Sequence, residues 1–370
     1  MINLENREAL PKLQRQLLRT FKVAFENTVG DQRRRHQPLG GTAMTISRRK
    51  ILVTLGLGSV ASLLPRAAFA AYPDRPIHLI VPFAPGGNAD IVGRIVGERI
   101  SSAVGQPVVV DNRGGAGGSI GAEAVARATP DGYTLFVGSN GPLTVNPFIQ
   151  AKLGYDPLKD FAPIALTSYV PHVIILNNAV ESKTLKDLIA ASEKQPVSIA
   201  TSGVGSATHM TLERFKAATG AKFTHIPYRS GGQLMPDLIG GNIQAAMTEF
   251  STALPLHKAG KARILAIASA QRSKLAPDIA TFIEGGVKGF TAQSYIGILA
   301  PAATPPAIVA QLQKAIAAGL ESGPAPDKLR AMGSEIATPE QMTSAGFAAF
   351  IKTDYANMKE AAQLAGIEPK

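Results

Sequence analysis

The chain has 370 residues, 45% of them hydrophobic and 18% charged, which describes a folded protein and leaves room for two domains. Its formal net charge of +11 invites a nucleic-acid reading, but residues 1–70 hold 12 Lys/Arg against 4 Asp/Glu, so the remainder carries 26 against 23, a net of +3. No basic patch interleaved with aromatics stands out there, so nucleic acid is not an expected partner. Cysteine is absent, which removes disulfides, thiolate metal sites and a cysteine lipid anchor from this chain.

The basic excess belongs to a segment with the layout of an export signal, expected at 44–70. Met44–Lys50 is a short cationic region, Ile51–Leu64 a 14-residue apolar core too short to span a bilayer comfortably, and Ala68 and Ala70 supply the small residues of a cleavage site near Ala70. Ser47–Leu52 fits a twin-arginine signal as well as an ordinary one. Residues 1–43 are expected to be an upstream over-extension or leader. An exported, cysteine-free chain is expected to be freely soluble in the periplasm.

Beyond residue 70, β-favouring runs alternate with helix-period segments, as in a parallel α/β protein. Ile77–Val81 predicts a strand. Pro85, Gly86 and Gly87 form a tight corner, and Ile91, Val92, Ile95, Val96 and Ile100 repeat along one face of a helix from about Asn88 to Ala103. Pro107–Val110 is β-branched, Gly114–Gly118 a glycine loop and Ser119–Ala128 a helix of small residues. Tyr133–Val137 predicts a strand leading to the loop Gly138–Pro142, and apolar extended runs follow at Ile164–Thr167 and Val173–Leu176. A second series has helices at Leu185–Glu193, Ser206–Thr219, Gly231–Ile239 and Ser251–Ala259. Its strands are Val197–Thr201, Phe223–Ile226, Ile243–Thr248 and Arg263–Ser269. Tyr295–Ala300 predicts a returning strand, and helices are expected over Ala307–Leu320, Pro326–Met332 and Pro339–Ala365. This pattern predicts two α/β lobes, 72–172 with 293–370 and 173–292, and a ligand cleft between them.

Enzyme motifs largely fail: there is no G-x-S-x-G, no G-x-x-x-x-G-K-S/T and no H-E-x-x-H. Gly115, Gly117 and Gly121 open a helix, but the third glycine falls one position late for a dinucleotide fingerprint. His78, His172, His209, His225 and His257 are scattered, so no metal, cofactor or catalytic group is expected. His209 alone is worth keeping as a candidate, because it lies one turn beyond a glycine loop. Glu249, at the end of a predicted strand, could meet a ligand ammonium or a water. What remains is glycine and hydroxyl loops at strand C-termini, at Pro85–Asn88, Ser139–Gly141 and Thr201–Ser206. Ligands of open parallel sheets gather at that end, and backbone N–H groups at helix starts suit anions. Two such loops, one per lobe, suit a ligand with a carboxylate at each end.

A set of motifs in fixed order resembles the Bug-type receptors, the extracytoplasmic solute-binding components of tripartite tricarboxylate transporters. They are Tyr72–Pro76, Ile80–Phe83 with Pro85–Gly87 and Asp90, Gly105–Val109, Asn112-Arg113 with Gly115–Gly118, Pro130–Leu135, Tyr155–Pro157, Asp160-Phe161, His225–Tyr228, Ala259–Arg263 and Gly297–Pro301. The resemblance covers Tyr72 to Ile367. It implies a two-lobed periplasmic binding protein, type II-like, that closes on a small carboxylate (a di- or tricarboxylate, an acidic amino acid or an aromatic acid) and serves the membrane components of such a transporter. A monomer is expected. The resemblance further implies a ligand site made of Phe83, Ala84, Pro85, Gly86, Gly87, Asn88 and Asp90, with Ser139 and Asn140, from one lobe, and Thr201, Ser202, Gly203, Gly205, Ser206, His209 and Glu249 from the other. One carboxylate would be held partly through bridging water. Asn88-Ala89 departs from the hydroxyl residues common after the glycine pair, and Tyr295 stands where many members have tryptophan. Two other readings remain: a ligand sensor without a dedicated transporter, and a hydrolase using Ser139, Ser202 or Ser206 with His209.

Overall fold

Strand β4, Phe161–Leu176, ties the molecule together. The computed structural model describes residues 72–364 and Pro369; the expected leader and export signal lie outside the described residues. No described helix is long and apolar enough to cross a membrane.

The chain opens with β1 (Ile77–Val81), α1 (Asn88–Val104), β2 (Val108–Asn112), α2 (Ser119–Ala126) and β3 (Thr134–Gly138). β1 pairs in parallel with β2 and β3. Ile77, Leu79 and Val81 of β1 are fully buried, and so are Val92, Val96 and Ile100 on the inner face of α1. The helix ends at Gly105, whose φ of 73° supplies a left-handed cap and whose N–H donates to Ser101 O at 3.0 Å. Residues 141–149 hold a π-helical turn, Gly141–Val145, and the short α3, Asn146–Ile149, where the sequence suggested only a loop.

The second series contains α4 (Leu185–Lys194), β5 (Val197–Thr201), α5 (Ala207–Thr219), β6 (Phe223–Pro227), α6 (Gly231–Gly240), β7 (Ala245–Glu249), α7 (Phe250–Lys258) and β8 (Arg263–Ile267). The chain returns through β9 (Gln293–Pro301) and closes with α8 (Pro306–Glu321), α9 (Pro324–Ala331), β10 (Glu335–Ile336) and α10 (Ser344–Leu364). The main strand order is β2-β1-β3-β9-β4-β7-β5-β6.

The two apolar runs expected at 164–167 and 173–176 are one continuous strand. From Phe161 to Pro171 β4 pairs with β9; from His172 onward it pairs with β7 and β8. The first lobe packs Ile77, Phe136, Leu166, Ile298 and Phe347 into its core. The second buries both faces of its sheet, one around Phe215 and Phe282 and the other around Leu238 and Phe250. The last helix begins at Ser344 rather than Pro339, because Thr343 Oγ1 accepts from Gly346 N at 2.9 Å and so caps a later start. The short β10, which pairs with β4, carried no legible sequence signal.

Candidate functional site

The lobes meet over glycine. A Cβ placed on Gly232 would come within 2.5 Å of Gly86 O and 2.8 Å of Gly86 Cα. One placed on Gly117 would meet Val204 O at 2.5 Å. Ala84 N donates to Arg229 O at 3.2 Å and Ser251 Oγ to Asn88 Oδ1 at 2.9 Å, so hydrogen bonds also cross the cleft. Between these contacts lies a void of about 20 Å³, lined by Phe83, Gly87–Ala89 and Ser139 of the first lobe, Ser202, Ser206, Ala207, Ser230, Gly231 and Glu249 of the second, and Ser294 and Ile296 of β9.

The β1–α1 corner is fixed from behind. Gly86 has φ 83°, which favours glycine, and its N–H donates to Asp90 Oδ2 at 3.0 Å. Asp90 also accepts from Arg94 Nε at 3.1 Å and from Asn112 Nδ2 at 2.9 Å, while Asn112 Nδ2 donates to Phe83 O at 3.0 Å. Burial opposes the charge on Asp90, but Arg94, Gly86 N–H and Asn112 outweigh it and hold the carboxyl below its ordinary range. Asp90 is therefore a brace. Gly87 caps α1 without a side-chain hydrogen bond, so the first N–H groups of that helix remain for a ligand at the cavity wall.

In the second lobe, Gly203 and Gly205 take φ of 118° and 81°. Thr201 Oγ1 lies 2.7 Å from His225 Nε2 and accepts from Gly203 N at 3.3 Å. His209 stacks on His225 with ring centroids 4.2 Å apart, and its Nδ1 accepts from Gly205 N at 3.3 Å. The histidine pair thus props the loop from outside the cavity. Ser206 caps α5: its Oγ donates to Gly203 O at 2.7 Å and accepts from His209 N at 3.2 Å. The serine–histidine contact is made to the histidine backbone, and no base reaches the Ser206 hydroxyl. Ser202 Oγ is buried in the cavity wall without a protein partner.

Of the residues singled out from sequence, Phe83, Gly87, Asn88, Ser139, Ser202, Ser206 and Glu249 come together on the void. Ala84, Pro85, Gly86, Asp90, Asn140, Thr201, Gly203, Gly205 and His209 belong to the same loops and helix starts but do not line it. Asn140 Oδ1, for example, accepts from Tyr295 N at 3.0 Å. Sequence reasoning missed Ser230 and Gly231, although Ser230-Gly231-Gly232 is a fourth glycine–hydroxyl corner; Ser230 Oγ accepts from Gln233 N at 3.1 Å and caps α6. It also missed Ser294 and Ile296, which lie within a strand.

Glu249 is the one ionisable side chain on the cavity wall, and the lining holds no Lys or Arg. Its burial raises the carboxyl pKa; its own backbone N–H, Thr248 Oγ1 at 3.3 Å and Ser294 Oγ at 3.5 Å offset only part of that cost. Among the described residues no group of three or more His, Cys, Asp or Glu is placed to hold a metal ion.

Two lobes built on shared strands, with helix starts and hydroxyls facing a closed cleft, define a two-lobed periplasmic binding protein. Residues 92–365 match the family described as the tripartite tricarboxylate transporter family receptor. The protein BugT of Bordetella pertussis is 35% identical over 298 residues, 79% of this chain and 91% of that protein. The structure of the periplasmic binding protein BugD superposes with a TM-score of 0.78 at 32% identity, covering 81% of this chain and all of that one. An R. palustris protein solved with adipate gives 0.77 at 32% identity, covering 81% and 100%. The chain belongs to the tripartite tricarboxylate transporter receptor family.

Proposed function

We propose that this chain is an exported, monomeric receptor that captures a small dicarboxylate in the periplasm and presents it to the membrane components of a tripartite tricarboxylate-type transporter. In this reading residues 44–70 direct export, 72–172 with 293–370 form one jaw, and 173–292 form the other. The observation that carries it is the cavity wall: helix starts of both lobes (α1 and α6) and serine hydroxyls converge there without a cationic side chain. Such a wall suits an anion held by backbone and hydroxyl donors. The adipate bound by a protein of similar fold and sequence supports the dicarboxylate class.

Closure follows from differential binding. A ligand with an acid group at each end satisfies donors of both lobes only when the cleft is shut, so it shifts the population toward the closed form. A void of about 20 Å³ has room for about one water, so a dicarboxylate enters and sits only with some parting of the lobes. A thermal-shift screen over dicarboxylates, acidic amino acids, aromatic acids, nicotinate-like acids, sugars and cations tests the reading. The melting temperature is expected to rise with a dicarboxylate; a rise with sugars or cations alone would sink it.

A further inference from the structure

A second space adjoins the sealed void. It is a chamber of about 240 Å³, walled by the Gly115–Gly118 corner of the first lobe and by Val204, Tyr228 and Arg229 of the second. Among the described residues the two linings share only Phe83 and Ser202, one from each lobe. Ser202 is 5% exposed, and its Oγ has no hydrogen-bond partner in the protein. The backbone of Phe83 is clamped: its carbonyl accepts from Asn112 Nδ2 at 3.0 Å, and a Cβ on Gly114 would come within 3.3 Å of its Cα. The Phe83 side chain is only half-buried. Joining the two spaces therefore takes a change of that side chain's rotamer and no movement of the loop.

We propose that the void and the chamber together form one site for an aliphatic dicarboxylate longer than adipate. The near acid group accepts from Ser202 Oγ, the chain passes the turned Phe83 ring, and the far acid group meets Arg229. This rests on the dicarboxylate reading above and gives it a length. The void has room for about one water and already carries the Glu249 carboxyl on its wall, so a ligand's second acid group has no place there. The chamber suits a hydrocarbon chain. Phe83, Val204 and Pro227 line it, and Tyr228 OH donates to Asp237 Oδ2 at 2.7 Å, so the polar end of that ring is already paired. Val204 leaves 53% of its surface exposed at the tip of its glycine loop, and covering it with methylenes is favourable. Arg229, exposed, is the one charged side chain in the lining among the described residues. Because Gly117 and Val204 O touch across the cleft, the chamber takes its shape from both lobes and completes as they close.

Titration calorimetry of the purified chain with succinate, adipate, suberate and sebacate tests the proposal. Each methylene that enters the chamber is expected to tighten binding about fourfold, so suberate binds at least about tenfold more tightly than adipate. Val204→Trp fills the chamber from an exposed position. It is expected to erase the advantage of suberate and to leave succinate binding as it is. Arg229→Gln is expected to weaken suberate about tenfold and to leave octanoate, which lacks the far acid group, unmoved. Circular dichroism confirms that both variants are folded. Equal affinity along the series, or an advantage of suberate that survives Val204→Trp, overturns the proposal and leaves the capture of a short dicarboxylate standing. Octanoate binding as tightly as suberate overturns the place given to Arg229. Binding of no dicarboxylate at all removes the capture reading and this one with it.

Discussion

Gly232 and Gly86 set how closely the two jaws approach, because their backbones touch where any side chain would intrude. Gly232→Val is expected to leave each lobe folded and to weaken dicarboxylate binding at least about tenfold, the equivalent of about 1.4 kcal/mol, by wedging the cleft; titration calorimetry alongside circular dichroism checks this. Asp90 acts differently. Asp90→Ala leaves Gly86 N–H and Asn112 Nδ2 each without a carboxylate partner, and is expected to cost about 2 kcal/mol of stability, read as a lower urea midpoint at an unchanged slope. Because the folded Asp90 titrates below its unfolded value, its contribution is present above the unfolded pKa and is lost as pH falls through the folded one. The family resemblance marked Asp90, Asn140, Thr201 and His209 as ligand contacts, and none of the four lines the void. Which way each side chain points depends on the neighbouring strand, and that information is not local.

At the scale of elements, the corners at 85–88 and 201–206 were legible because their residues answer a local need: Gly86, Gly203 and Gly205 take positive φ, and Ser206 caps a helix. The Ser294–Ile296 wall was not. Strand β9 is buried on both faces from Ser294 to Pro301, so its sequence shows no alternation to distinguish a cavity-facing residue from a core-facing one. The stacked pair His209–His225 was likewise hidden, since the two residues lie on α5 and β6. Burial first, and then the neighbouring His209, hold the His225 pKa at about 4, and burial also lowers that of His209. Between that value and the unfolded value of about 6.5 the unfolded chain binds the additional proton. Stability is therefore expected to fall as pH drops through that window. Thermal melts from pH 7 to 4 are expected to show a declining midpoint, and His225→Gln to flatten the decline; an equal slope in that variant would show that the pair does not titrate as described.

For the whole molecule, β4 and β9 act as paired hinge strands: both run from the first-lobe sheet into the junction, where β4 changes partner between Pro171 and His172. The α/β alternation and the two series of units were readable in the sequence, whereas the continuity of β4 was masked by Pro171 and its polar neighbour His172. A hinge of two strands with a void of about 20 Å³ between its jaws predicts an opening motion on ligand release. Small-angle scattering is expected to give a larger radius of gyration without ligand than with a saturating dicarboxylate, and an identical pair of values would argue against a flytrap. The central claim is that this wall of backbone and hydroxyl donors, with no cation, captures a dicarboxylate. Isothermal titration of the purified chain with succinate, glutarate and adipate tests it most directly. One site with Kd at or below ~10⁻⁶ M, about −8 kcal/mol, is expected for at least one of them; binding of none of the carboxylates, with saturable heat from a sugar or a cation, would contradict it.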